Sequence, residues 1–315
     1  MTQVARQGRW GVLLIVVALT AACASQPVAV RRQAPFTSYQ LQEAELTPEQ
    51  ADWLDDSCPA GQPLLDPAFG HGTTALVARE GYALEHSCRD LVPLWVCERI
   101  TPEELTGEAK RRDKFKPDSE LEAACRAELA DYKRSGFDRG HQAPADNQRA
   151  SQQLKDETFF LSNMAPQVGR GFNQQIWREL EDMANDPVEQ GEAGSVYVVT
   201  GGFFYDPEED DPATADGLIT VERIGDGRVA IPTHFYKIVA IEPPDGTEDD
   251  WRVVGFVMEN RKYQRPYDFA DFIRPVRWIE QRTGIDFMPD LGPLLGPELE
   301  EEPGEPFWTD EPQEP

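Results

Sequence analysis

Between Gly136 and Glu181 the chain gathers residue types that suit one reaction. Asp138-Arg139-Gly140-His141 comes first, then Ser162-Asn163-Met164-Ala165-Pro166-Gln167. Asn173-Gln174-Gln175-Ile176-Trp177-Arg178-Glu179-Leu180-Glu181 closes the set. Cutting a phosphodiester requires water to lose a proton as it attacks, negative charge to be matched in the transition state, and the leaving oxygen to be neutralised. His141, one of four histidines in the chain, suits the general base because imidazole titrates near working pH. Asn173 offers a neutral carbonyl oxygen to a hard divalent ion that keeps several waters. Glu181 can hold the water around such an ion. Arg139, with Arg111 or Arg112 upstream, carries the forked donors that grip phosphate. Asn163 can position a phosphate or His141. Singly, each residue also has a structural reading: a surface ion pair for Asp138-Arg139, a helix cap for Asn173. Their occurrence together favours the chemistry.

The elements that must position these residues read as follows. Thr47-Pro48-Glu49-Gln50 predicts a short helix to Leu54, with a capping residue, proline at the first helical position and Gln50 three residues past the cap. Residues 75–86 predict a hairpin around Gly81, and Leu91 to Ile100 another strand. Thr101-Pro102-Glu103-Glu104 predicts the start of a second helix, and Leu121 to Tyr132 a third. Gly136 to His141 is expected to be irregular, with Gly140 bending the chain so that His141 faces out while Asp138 turns in. A helix is expected from Asn173 to Asn185, where Asn173, Trp177 and Glu181 would share one side. Strands follow at Ser195–Thr200, at 229–241 with a break near Pro232, and at Trp251–Met258. Val276 to Arg282 predicts a last helix stopped by Gly284. Strands with inserted helices imply an α+β fold on a central antiparallel or mixed sheet.

The chain has 315 residues, seven tryptophans and fifteen phenylalanines, so a packed core is expected in spite of a net charge of −27. That charge argues against uniform attraction to nucleic acid. The acid side chains, however, concentrate in the two ends and at 206–216 and 245–250. Lys110, Arg111, Arg112, Lys114 and Lys116 form a basic cluster close in sequence to the chemical segment. Local potential can be positive where the total is not.

At the start, Arg6, Arg9 and the apolar run Trp10–Leu19 predict a signal peptide over 1–22. Thr20-Ala21-Ala22-Cys23 is similar to a bacterial lipobox, which implies a lipid on Cys23 and an exported protein held at the outer membrane, or else periplasmic or secreted. Residues 23–70 predict an acidic, polar tether, 71–290 the folded domain, and 291–315 a disordered acidic tail. Four cysteines remain, Cys58, Cys88, Cys97 and Cys125, and an exported protein can oxidise them. Three pairings are open, a local Cys88–Cys97 clip among them. No CxxC pair is present to suggest zinc.

The Asp138–Pro144 run, with Asn163 to Gln167 and Asn173 to Glu181, resembles the DNA/RNA non-specific endonucleases. These are ββα-metal (His-Me finger) nucleases that include the Serratia nuclease and the endonuclease G group. Weaker similarity runs from Tyr82 through Pro93-Leu94-Trp95-Val96, Thr200-Gly201-Gly202 and Phe235-Tyr236-Lys237 to Thr283-Gly284-Ile285-Asp286-Phe287. The resemblance implies His141 as base, Asn173 as direct ligand of Mg²⁺ (or Mn²⁺ in its place) and Glu181 as holder of the ion's waters. Arg139 and Asn163 would support the phosphate and histidine region. It also implies one further arginine upstream. Arg112 is favoured, because Phe115 and Asp118 then fall in the family order, with Arg111 next. DNA and RNA substrates, 5′-phosphate products and a possible homodimer follow from the same resemblance. The competing expectation is a non-catalytic cell-envelope binding protein that keeps the fold.

Overall fold

The computed structural model describes residues 28–31, 46–210, 218–244, 251–290 and 298–308. The expected signal peptide, Cys23, most of the acidic 206–216 loop, the 245–250 turn and residues 309–315 lie outside them.

Seven antiparallel strands make the central sheet. In chain order they are β1 (Thr74–Arg79), β2 (Tyr82–Ser87), β3 (Val92–Ile100), β6 (Ser195–Phe203), β7 (His234–Glu242), β8 (Arg252–Glu259) and β9 (Ile273–Arg274). Their spatial order is β9-β8-β7-β6-β3-β2-β1. Two further strands, β4 (Asp138–His141) and β5 (Met164–Gln167), pair antiparallel with each other and stand apart from that sheet. The fold is α+β, as expected, with the antiparallel alternative realised.

Residue alternation along the central strands sorts the core into two layers. On one face Val196 and Val198 of β6 and Phe235, Val239 and Ile241 of β7 pack with Ile176, Trp177, Leu180 and Met183 of helix α4 (Ile176–Glu189). On the other face Trp95, Cys97, Tyr197, Val199, Tyr236 and Ile238 pack with helices α1 (Pro48–Ser57) and α5 (Val276–Thr283) and with Phe287. Between β3 and β6 the chain forms only two further short helices, α2 (Leu129–Tyr132) and α3 (Gln152–Glu157), besides α4 and 3-10 turns.

Local signals that close on themselves work. Thr47 and Gln50 complete a capping box on α1, and Gly284 ends α5 in the left-handed region at φ 67°. Helix α1 falls inside the stretch expected to be a tether, yet Leu54 and Cys58 are buried against the sheet. At Thr101 the expected box does form its hydrogen bonds, Glu104 accepting from the Thr101 backbone at 2.9 Å. No helix follows, because the chain leaves to meet Arg149, whose N–H donates to the Glu104 carbonyl at 2.8 Å. The helix expected over Leu121 to Tyr132 shrinks to α2, since Cys125 is tied by a disulfide to Cys88. That pairing replaces the local Cys88–Cys97 clip; Cys97 and Cys58 are buried free thiols. Gly136 to His141 is not irregular: its second half is β4, whose partner lies more than twenty residues downstream. Residues 298–308, expected to be disordered, instead dock. Glu300 pairs with Arg277, and Phe307 and Trp308 pack against Phe256.

Candidate active site

Strands β4 and β5 followed by α4 form a ββα unit on one face of the central sheet. Register places Gly140 opposite Ala165 and His141 opposite Met164. Gly140 lets the buried Gln167 side chain lie directly against the strand, where an added Cβ would displace it. Alternation then sends Arg139 and His141 to one side of β4 and Asp138 to the other.

His141 is 8% exposed, and its Nε2 has no hydrogen-bond partner among the described residues. Its ring meets Phe159 edge-on with centroids 4.9 Å apart and lies 5.8 Å from Phe115. Arg139 stacks on the opposite partner, its guanidinium carbon 3.9 Å from the Phe115 centroid. Arg111 lies 5.4 Å from the Phe159 centroid. The histidine therefore sits in an aromatic slot with a guanidinium at each side. Burial first, then Arg111 and Arg139, pushes its pKa down to about 3. The ring is neutral at working pH, the form that accepts a proton.

Of the two upstream candidates, Arg111 is the one brought to the histidine. Arg112 turns away into an ion pair with Asp156 at 3.1 Å. The expectation favoured Arg112 because of its spacing to Phe115 and Asp118. Those anchors hold, with Asp118 bound to Arg79 at 2.8 Å, but spacing does not say which way adjacent side chains point.

Asn163 is fully buried. Its Oδ1 accepts from the Ala143 N–H at 2.9 Å, and its Nδ2 donates to the Ala143 and Thr158 carbonyls at 2.9 and 3.0 Å. It locks the turn after His141 and does not reach solvent, so of its two expected roles the structure favours holding the histidine's segment.

Asn173 stands three residues before α4, on a short segment that turns at Gly171 with φ 91°. It is therefore neither in the first turn of the helix nor its cap, which is Gln175. Its Nδ2 donates to Asp138 at 2.9 Å, and Gln174 Nε2 donates to the same carboxylate oxygen at 2.7 Å. This uses the donor side of the Asn173 amide and leaves its carbonyl oxygen as the atom to offer a cation. The donor set therefore suits a hard divalent ion that is otherwise hydrated. Asp138 is the orienting residue here, and the sequence hint was only its expected inward turn.

Glu181 is half-buried on α4, one turn beyond the fully buried Trp177. Burial pushes its carboxyl up to about 7, against the pull of Lys237. Lys237 was not singled out in the sequence, although a lone charge at the centre of the apolar run Phe235–Ile241 is visible there. The basic cluster is exposed, as a phosphate-contacting rim must be: Lys110, Arg111, Arg112, Lys114 and Lys116 all reach solvent.

Comparisons with known proteins place the chain in a family. The sequence profile described as DNA/RNA non-specific endonuclease matches residues 61–293. The mitochondrial nuclease of Saccharomyces cerevisiae is 39% identical over 206 residues, covering 64% of this chain and 61% of its own length. Human mitochondrial endonuclease G is 37% identical over 221 residues, 70% of this chain and 71% of that protein. A crystal structure of the EndoG/EndoGI complex superposes with a TM-score of 0.66 at 34% identity, over 78% of this chain and 93% of that one. Both sequence relatives are named as mitochondrial, which contradicts the expected export, whether to the outer membrane through lipid on Cys23, to the periplasm or to the medium. The span and level of these matches, over the segment that carries His141, Asn173 and Glu181, show that the chain belongs to the DNA/RNA non-specific endonuclease family.

Proposed function

We propose that this protein hydrolyses DNA and RNA phosphodiesters with one Mg²⁺ ion, Mn²⁺ being able to replace it, and leaves 5′-phosphate ends. The observation that carries the reading is the neutral imidazole of His141 between the guanidiniums of Arg111 and Arg139. It stands on the strand whose Asp138 orients the Asn173 amide.

In this mechanism Arg111 and Arg139 grip the non-bridging oxygens of the scissile phosphate. The neutral imidazole of His141 takes the proton of a water molecule as that water attacks phosphorus. The bond from phosphorus to the 3′-oxygen breaks, so phosphate stays on the 5′ side. A bound phosphate offsets the two guanidinium charges that depress the histidine, which raises its basicity at the moment it is needed. Asn173 would hold the ion through its carbonyl oxygen, and Glu181 would order the surrounding water. When bound, the ion supplies positive charge against the leaving oxygen. Phe159 and Phe115 keep the imidazole in one orientation and dry on one side. The complete set argues against the non-catalytic binding reading, which would not need an unpartnered histidine in a guanidinium-lined slot.

The test uses supercoiled plasmid and a structured RNA, with Mg²⁺ or with chelator, and analysis of the product ends. Both substrates are cut only with the metal, the products carry 5′-phosphate, and His141→Ala lowers kcat by about 100- to 10,000-fold. Cleavage that persists in chelator, or that is equal in the variant, overturns the mechanism.

A further inference from the structure

Ionisable side chains are seldom fully buried unless a partner compensates them. A row of them lies between α4 and the central sheet. Lys237 on β7 and Glu98 on β3 are each 1% exposed. Lys237 faces Thr200 across the β7–β6 pair and donates to its Oγ1 at 2.7 Å. Its Nζ lies 5.1 Å from the Trp177 ring centroid. Glu98 accepts from Asn147 Nδ2 at 3.1 Å, and Asn147 accepts in turn from Asn185 Nδ2 at 2.8 Å. Trp177, Glu181 and Asn185 follow one another at four-residue steps on α4, so they form one stripe on the helix. The first of the three touches Lys237 and the last touches Asn147. Glu181 is the middle member, above the stretch from Lys237 to Glu98.

The charges agree with this placement. Lys237 exerts the largest attraction on Glu181, and Glu181 exerts a larger one on Lys237 than Glu98 does. A lysine ammonium carries three donors, and Thr200 takes one. Buried ion pairs are seldom more stabilising than apolar residues of the same volume, so fold stability is a poor reason for a lysine at this point.

We propose that Lys237 is a positioning residue for Glu181: held by Thr200 and over the Trp177 ring, its ammonium orients that carboxylate toward the water around the ion that Asn173 would hold. The inference rests on the role of Glu181 in the proposed function. Burial pushes Glu181 up to about 7 and Glu98 up to about 8 even with the Lys237 ammonium pulling both down. Without the ammonium, Glu181 would hold its proton more strongly still and turn a donor toward the ion's waters. Glu98, with one oxygen lacking a hydrogen-bond partner among the described residues, takes the proton more readily and leaves Lys237 to Glu181.

The experiment compares the wild type, Lys237→Met, Lys237→Arg, Glu181→Gln and the Lys237→Met/Glu181→Gln pair, each checked for folding by thermal melting. Two quantities are read: kcat on plasmid at saturating Mg²⁺, and Mn²⁺ affinity by calorimetry without substrate. Lys237→Met lowers kcat by about 10- to 100-fold and weakens Mn²⁺ binding, as loss of a group that orients a metal site does. Lys237→Arg retains most of both, and the double variant is no worse than Glu181→Gln alone, the non-additivity expected of one unit. A folded Lys237→Met with wild-type rate and ion affinity, or losses that multiply in the double variant, overturns the proposal. Should Lys237→Met not fold, Lys237→Met/Glu98→Gln removes the stranded buried carboxylate and is read by the same criteria. If the wild type shows no metal-dependent cleavage, or Glu181→Gln keeps full activity, the proposed function fails instead.

Discussion

The two faces of the central sheet are built from the same strands and obey different rules. On the face covered by α1 and α5, β7 contributes Tyr236, Ile238 and Ala240. Most polar atoms there are satisfied: the Tyr236 hydroxyl donates to the Leu94 carbonyl at 2.8 Å and Tyr197 meets Cys97 at 3.1 Å, while Trp95 Nε1 lacks a partner among the described residues. On the face covered by α4, the neighbouring residue of β7 is Lys237, and the buried set includes Glu98, Asn147, Asn185 and, beyond it on β4, His141. Several atoms of that set lack partners among the described residues, including His141 Nε2, Glu98 Oε1 and Asn185 Oδ1. One face holds the sheet together. The other spends some of that stability on charge that water cannot reach, which is where electrostatic interactions are strongest.

The sharpest way to separate them is to damage the quiet face. Phe287 is fully buried and packs its ring 4.9 Å from Tyr236. Phe287→Ala is expected to cost about 3–5 kcal/mol of stability, measured by denaturant unfolding, while kcat per folded molecule stays at the wild-type level. A large fall in kcat of the folded fraction would mean that the two faces are not separable.

Next comes pH. Folded Glu98 keeps its proton up to about 8, whereas the unfolded chain releases it near 4.5. The stability linked to that group is complete below the lower value and is lost as pH rises through the higher one. Glu98→Gln removes this loss, so the variant gains on the wild type progressively between the two values. Denaturant midpoints across that range check it, and a constant gap would show that Glu98 is already ionised in the folded protein. On the opposite face Glu280 of α5, pushed by burial up to about 7, should show the same trend over a narrower range.

The smallest effect separates two adjacent arginines. Arg111→Ala is expected to lower kcat/KM on the order of tenfold through a lost phosphate contact. Arg112→Ala, which breaks an exposed pair with Asp156, is expected to change it by less than about twofold. Equal losses would return Arg112 to the site.

What the sequence revealed follows the range of the interactions concerned. The β1–β2 hairpin, the α1 cap and the Gly284 stop are decided within a few residues, and each is visible in the chain. The strand character of Asp138–His141 depends on Met164–Gln167, so local pattern made it look irregular. The box at Thr101 shows the reverse error: its hydrogen bonds form, but a long-range contact with Arg149 takes the chain elsewhere. In the candidate site, His141, Asn173 and Glu181 could be nominated from the sequence because the proposed chemistry restricts the residue types at those positions. The choice between Arg111 and Arg112 was not, because both have the same type and only side-chain direction distinguishes them. Lys237 was missed because its meaning comes from three strands and a helix at once.

The Cys88–Cys125 bond gains its importance from what it encloses. The 37-residue separation spans β3 and then a run with almost no regular structure, on which Arg111 and Phe115 ride. Closing a loop of that length removes unfolded-state freedom worth about 4 kcal/mol in the chain-entropy account. In the folded protein it acts as a hem. The run is gathered at its two ends by sulfur, and shortly before Cys125 Asp118 is pinned by Arg79. Cutting the hem would leave both faces of the sheet standing. The strip of chain that carries one of the two guanidiniums beside the histidine would then depend on the Asp118 pin and its contacts at Phe159 and Phe160. On the proposed function, a thiol–disulfide exchange at a bond that touches none of the site residues would thus tune how firmly a phosphate is gripped.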